Sequence, residues 1–353
     1  MAMIVTSVEN EGCRLSECFL LFTFGTRPVC ALPAGASARV RRAAASRLLG
    51  YTLKRRAVRA GLITATSLRL DRQLAAGRFC VSELPGLSYG DGILSSLDGL
   101  GGEHRLGWKH VAIYWPSQLA RDRAYFHLLN ADGESVAFTK VSGSADSGLV
   151  GERAALDGLS GGRPGLFRSP MVLATSGKHD DRGYSWLALE ALPDDIRPCR
   201  FEKTAFPRQA VDAYQSDRRW TDRSNLHELS WWNRATRGVP KLFAQDLIWA
   251  VGEGFEVGRV HGDLGAHNMA RSREDLWIYD WESSALDGPA FSDYWAFQFL
   301  LQPPVKTLYA LRESNLEQLR EAIVTLAYQA SANVRYGPAM VQSWARIREE
   351  IGL

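Results

Sequence analysis

The 353-residue chain exceeds one ordinary core, since a prior of ~150 residues per domain suggests two packing units. Its 46% hydrophobic and 23% charged residues, with 11 Trp, 11 Tyr and 14 Phe, exclude disorder as the dominant state, and a formal net charge of +3 gives no reason to expect a nucleic-acid or anionic-membrane partner. Five cysteines, odd in number and without C-x-x-C spacing, suggest neither a disulfide framework nor a zinc site and fit a reducing, cytoplasmic setting.

In chain order, the apolar run CFLLFTFG at 18–25 follows Glu9, Glu11 and Glu17, so it reads as a buried strand rather than an export signal. No apolar run reaches the length of a bilayer span. From Arg39 to Arg72 there are ten Lys or Arg residues and a single acid, Asp71, in an Ala-rich setting with helical spacing. Its basic face could make peripheral contact with lipid phosphate or an acidic partner; a solvated helix face is the plainer reading. Gly-rich 88–107 reads as a loop and sets a domain boundary, leaving 1–104 as a basic, partly helical N-terminal extension. Residues 105–192 then carry short aromatic and β-branched runs: strands around WKHVAIYW and RAYFHLL, a turn at NADG (130–133), an outgoing strand with Lys140, a helix at about Leu149 to Leu159, and strands at MVLATS and YSWLALEAL. Residues 193–353 change to long amphipathic stretches, among them 208–236, and predict a larger helical unit.

Within that helical part, GRVHGDLGAHNMA at 258–270 has an apolar lead-in and then a glycine-interrupted polar loop; DLWIYDWE at 275–282 is a strand-like run ending in Asp280. If these segments pair, Asp263, Asn268 and Asp280 converge on one point. Hard oxygen donors of this kind suit Mg²⁺, which is commonly bound by one or two carboxylates plus substrate phosphates. Asn268 and Asp280 could supply the protein oxygens while Asp263 accepts a proton from an attacking hydroxyl, which is the arrangement of a phosphoryl-transfer site.

HGDLGAHN followed by IYDWE and then DGPAFSDYWAF resembles the catalytic region of the aminoglycoside phosphotransferase and choline kinase family. The resemblance implies an α+β, bilobal, protein-kinase-like fold with a small β-rich N-lobe and a larger helical C-lobe. It covers roughly 105–310 and leaves the N-terminal extension without a family reading. It implies Asp263 as catalytic base, Asn268 and Asp280 as Mg²⁺ ligands, His261 as a brace of the loop, Asp293 as its support from a helix start, and Glu282 as a further supporting group. Lys140 would contact the phosphates of ATP or GTP, with Glu152 orienting it, and the backbone near Leu189 and Ala191 would receive the adenine. The implied activity is transfer of the γ-phosphoryl group to a hydroxyl of a small-molecule acceptor such as an aminoglycoside, an amino alcohol or a sugar, with no nucleic acid involved.

The pattern has a gap. No G-x-G-x-x-G separates VAIYW from RAYFHLL; the turn reads PSQLARD, so phosphate cover would come from Ser117, Gln118 or backbone amides. No G-x-x-x-x-G-K-[ST] occurs either. Two other classes therefore stay open: a catalytically idle kinase-like module that binds nucleotide or a partner, and a hydrolytic transition-metal site ligated by His261, Asp263 and His267. His267 otherwise reads as an exposed side chain, and the pair Trp231 and Trp232 as core rather than acceptor pocket.

Overall fold

Alternating burial explains the first strands. In β1 (Cys18–Phe24), Phe19 and Leu21 point to one face while Leu20 and Phe22 point to the other, and both sets are buried, so this strand lies inside a covered sheet. The computed structural model describes residues 18–24, 27–47, 53–88, 90–95, 107–115, 123–143, 146–176, 184–193, 195–200, 204–237, 239–273, 275–333 and 336–353. The turn at 116–122, with Ser117 and Gln118, lies outside the described residues. The chain divides into two compact units, one comprising residues 1–149 and 171–194 and the other 150–170 and 195–353.

The first unit is built on an eight-stranded antiparallel sheet. To β1 are added β2 (Arg27–Pro33), β3 (Gly77–Cys80), β4 (His110–Tyr114), β5 (Arg123–Leu129), β6 (Ser135–Ser142), β9 (Val172–Thr175) and β10 (Ser185–Glu190), in the order β3-β1-β2-β4-β5-β6-β10-β9. One face packs against Val81, Leu84, Leu87 and Ile93, the last from a short helix at 90–95 (α4). The other face packs against Val40, Ala44 and Ala45 of α1 (Ala38–Ser46) and Leu62 of α2 (Leu53–Ser67). The boundary expected at 88–107 thus falls inside this unit. Pairing of β2 with β4, Cys30 opposite Tyr114 and Ala31 opposite Ile113, joins the supposed extension to the strands after it. A sheet edge left open there would expose unpaired backbone groups, and β2 removes that edge.

Part of the basic run also has internal work. Arg41 is buried and ion-paired with the fully buried Asp71 of α3 (Asp71–Leu74), and it donates to the Ala36 carbonyl as well. Arg47 lies within hydrogen-bond distance of the Leu192 carbonyl at 3.4 Å. Among the described cysteines Cys80 is disulfide-bonded, a bond that the count and spacing of the cysteines do not suggest.

The β5–β6 hairpin turns at Asn130–Gly133, where Gly133 adopts φ +85°, as NADG predicts. Arg123, at the start of β5, holds Asp146 at 2.6 Å, and Asp146 caps α5 (Ser147–Leu159) by accepting from the Gly148 amide at 2.9 Å. Burial pushes the Asp146 carboxyl up, but the Arg123 hydrogen bond and charge, with the amides of Gly148 and Leu149, outweigh it and hold the group below its usual range. A carboxyl depressed on folding stabilises the fold above its unfolded pKa, and the contribution is lost as pH falls through the folded value. Asp146→Ala is therefore expected to cost about 1 kcal/mol at pH 7 and less at pH 3; denaturant melts at the two values check it, and an equal cost at both would refute the assigned charge contribution.

In the second unit, the helical core gathers Phe243 and Leu247 of α8 (Lys241–Val251), Trp295 and Phe299 of α9 (Ser292–Leu301), and Leu319, Ile323 and Leu326 of α11 (Leu316–Ser331) around Val257 and Val260 of β13 (Gly254–Val260). Trp231 is fully buried in this core, as expected, and donates its indole N–H to the Asp287 carbonyl at 3.0 Å. The stretch 208–236 departs from a long helix. It forms α6 (Arg208–Tyr214), the strand β12 (Arg219–Asp222), a 3-10 turn at Arg223–Glu228 and α7 (Trp232–Thr236). The reason is tertiary: Trp220 and Thr221 pair with Glu256 and Phe255 of β13, and that cross-strand pairing outweighs the helical periodicity.

Candidate active site

Two local structures create the site. β13 is buried at Val257 and Val260 and delivers the chain from the core into His261, Gly262 and Asp263. After the loop, β14 (Met269–Ser272) pairs antiparallel with β15 (Asp275–Ile278), Met269 opposite Ile278, and the ladder extends one step further when Tyr279 N–H donates to the Asn268 carbonyl at 3.1 Å. That bond sets Asn268 beside Tyr279 and Asp280. The Asn268 side chain, 4% exposed, donates through Nδ2 to the Asp263 carbonyl at 3.0 Å and to Asp263 Oδ2 at 3.3 Å.

Asp293 holds the loop from below. It is fully buried in the first turn of α9 and accepts from the His261 amide at 2.8 Å, the Gly262 amide at 2.9 Å and the Tyr214 hydroxyl at 2.8 Å. Burial first, and then the Asp293 charge, push the Tyr214 phenol up, so it stays a proton donor. Gly262 is required at its position: it has φ +81°, and a Cβ there would stand 2.1 Å from the Ser283 carbonyl oxygen.

His261 braces the loop in the same local structure. Its buried ring packs on Trp281 with centroids 4.6 Å apart, Nε2 donates to the Tyr279 carbonyl at 3.0 Å, and Nδ1 accepts from the Asp263 amide at 3.3 Å. These partners assign the neutral Nε2–H tautomer. Burial keeps the ring below its ordinary pKa, against the opposing pull of Asp293, the Tyr279 carbonyl and Asp280. In this arrangement both His261 nitrogens are engaged by the protein, which disfavours the transition-metal reading. Among the described residues no group of three or more His, Cys, Asp or Glu is placed to hold an ion.

Asp280 ends the strand-like run in a left-handed conformation, φ 70° and ψ 55°, and opens the 3-10 turn Trp281–Ser283 that contains half-buried Glu282. Asx residues tolerate this conformation better than other non-glycine residues. The charge of Asp280 acts on both His261 and His267, opposing the lowering that burial imposes on each ring. The remaining expected residues are carried by other elements. Lys140 is buried on β6 between Tyr125 and Leu187 of the flanking strands; Leu189 is on β10 opposite Phe138, and Ala191 follows that strand. These three belong to the first unit. Glu152, buried on α5, belongs to the second.

Compared by sequence, the chain matches no protein-family model and no curated protein. By structure it is similar to several solved proteins. The ternary complex of a thermostable mutant of aminoglycoside phosphotransferase APH(4)-Ia with ADP and hygromycin B is 11% identical, with 68% of this chain and 93% of that one covered at a TM-score of 0.43. A choline/ethanolamine kinase family protein from Mesorhizobium loti is 13% identical, with 65% and 85% covered at 0.38. An amicoumacin kinase in complex with AMP-PNP, Ca²⁺ and its ligand is 10% identical, with 72% and 84% covered at 0.32.

Two features of the site are absent from the sequence reading. Tyr214 meets Asp293 from 79 residues away, and no local signal announces that bond. His267 is half-buried rather than exposed, with Nε2 3.5 Å from Asp263 Oδ2, and its spacing of four residues from Asp263 is the signal that could have found it.

Proposed function

We propose that the chain is a small-molecule kinase that moves the γ-phosphoryl group of ATP or GTP to a hydroxyl of an aminoglycoside, amino alcohol or sugar. The observation that carries this reading is the double role of Asn268. Its side chain touches Asp263 while its backbone bonds the residue before Asp280, which supports a reading in which the three groups act together. In this reading Asp263 orients the acceptor hydroxyl and takes its proton as the new O–P bond forms and the bond to the leaving nucleoside diphosphate breaks. Asn268 and Asp280 are oxygen donors of the kind Mg²⁺ prefers, and one carboxylate with one carboxamide suits an ion completed by phosphates and water. A bound Mg²⁺ would neutralise phosphate charge in a loose transition state.

To further residues we assign the roles that the resemblance implies. Lys140 would supply a point charge to the nucleotide phosphates, Glu152 keeps the supporting role that the resemblance gives it, and the backbone at Leu189 and Ala191 would hydrogen-bond the base. His261 and Asp293 hold the loop that carries Asp263, and Glu282 supports the turn after Asp280. The absence of a glycine-rich phosphate loop favours a second reading, an idle nucleotide-binding module. A screen of ATP and GTP consumption with Mg²⁺ across aminoglycosides, choline-like alcohols and sugars separates them. Turnover with at least one acceptor, lost on chelation, is expected; nucleotide binding without turnover across the whole panel would overturn the kinase reading in favour of the idle module.

A further inference from the structure

The loop makes room for one side chain in an unusual way. A Cβ on Gly265 would lie 2.6 Å from His267 Cε1, 2.8 Å from His267 Nδ1 and 2.5 Å from Leu300 Cδ1. The bare backbone at Gly265 is therefore what lets the His267 imidazole fold back over the loop toward Asp263. The backbone of His267 is fixed as well, because the Tyr279 hydroxyl donates to its carbonyl at 3.0 Å. Its Nε2 stands 3.5 Å from Asp263 Oδ2, the same oxygen that Asn268 Nδ2 approaches at 3.3 Å.

We infer that His267 is a positioning residue for Asp263: its Nε2–H and Asn268 Nδ2 converge on Oδ2 and fix the plane of the carboxylate, with Gly265 providing the space. The inference rests on the proposed role of Asp263 as the group that receives the acceptor's proton. The separation of 3.5 Å exceeds a hydrogen bond, and contacts of this kind commonly shorten when substrate fills a site. A carboxylate held by two donors loses its alignment when one is removed, and misplacement by ~1 Å can cost about 100-fold in rate.

The test compares His267→Ala, His267→Gln, Gly265→Ala and the Gly265→Ala/His267→Ala double variant in the full chain, using an acceptor from the consumption screen. His267→Ala is expected to lower kcat by roughly 10- to 100-fold with KM for nucleotide and acceptor nearly unchanged. His267→Gln, which keeps an N–H donor, should recover much of the loss. Gly265→Ala should mimic His267→Ala, and the double variant should be no slower than either single one. A kcat for His267→Ala within twofold of the parent would overturn the inference. A second measurement needs no acceptor: ¹⁵N NMR of the His267 ring should show a proton on Nε2, with an Nε2 signal that moves on Asp263→Asn. An Nδ1–H tautomer, or a signal indifferent to Asp263→Asn, would overturn it in active or idle protein alike. Absence of turnover in the parent counts against the kinase reading, and the NMR result still decides the placement of His267.

Discussion

Asp263→Asn is expected to lower kcat by about two to four orders of magnitude while leaving nucleotide affinity within a few-fold of the parent. The substitution nearly preserves the volume of the side chain, and the backbone carbonyl that accepts from Asn268 Nδ2 at 3.0 Å is untouched. What it removes is the carboxylate proposed to accept the proton. The nucleotide contacts assigned to Lys140, Leu189 and Ala191 involve none of its atoms. Stopped-time assays of product formation, paired with titration of a non-hydrolysable nucleotide, measure the two effects separately. Turnover at the parental rate would end the assignment of Asp263 as the base. Loss of nucleotide affinity together with turnover would instead assign it to nucleotide binding.

The largest stability effect is expected at Asp293, which touches no proposed substrate atom. Its carboxylate accepts from two backbone amides and one tyrosine hydroxyl, and the residue is fully buried. Asp293→Ala leaves these three donors without their acceptor, at about 1–3 kcal/mol for each buried group left unsatisfied. A total on the order of 5 kcal/mol follows, a large part of the whole stability of a typical domain. Asp293→Asn should cost less, because its carboxamide oxygen can still receive one or two of the bonds. Denaturant melts of both variants beside Tyr214→Phe, which deletes only the hydroxyl donor, give the comparison. An Asp293→Ala variant as stable as the parent would show that the loop holds itself in place.

The motif region was legible because its information is local. His261, Asp263, Asn268 and Asp280 fall within twenty residues, glycine at 262 marks a turn, and DLWI alternates as a short strand should. The hairpin at NADG and the helix near Leu149 to Leu159 were readable for the same reason. Elements depending on distant partners were not. Residues 1–104 read as a separate basic extension, yet three strands within them join the sheet of the first unit, and Arg41 is paired inside it with Asp71. Hydropathy marks β1 as a buried strand but carries no label for which strand lies beside it.

The same division holds inside the site. Residue types and their spacing along the chain set which groups are offered: two carboxylates and a carboxamide of the right hardness for Mg²⁺, on a loop opened by glycine. Folding decided how those groups are held. Asp293 receives its third hydrogen bond from Tyr214, β12 replaces an expected stretch of helix by pairing with β13, and the missing side chain at Gly265 turns His267 toward Asp263. Spacing and periodicity constrain only neighbours within a turn or a strand, whereas buried donors and acceptors find their partners through packing between segments far apart in sequence.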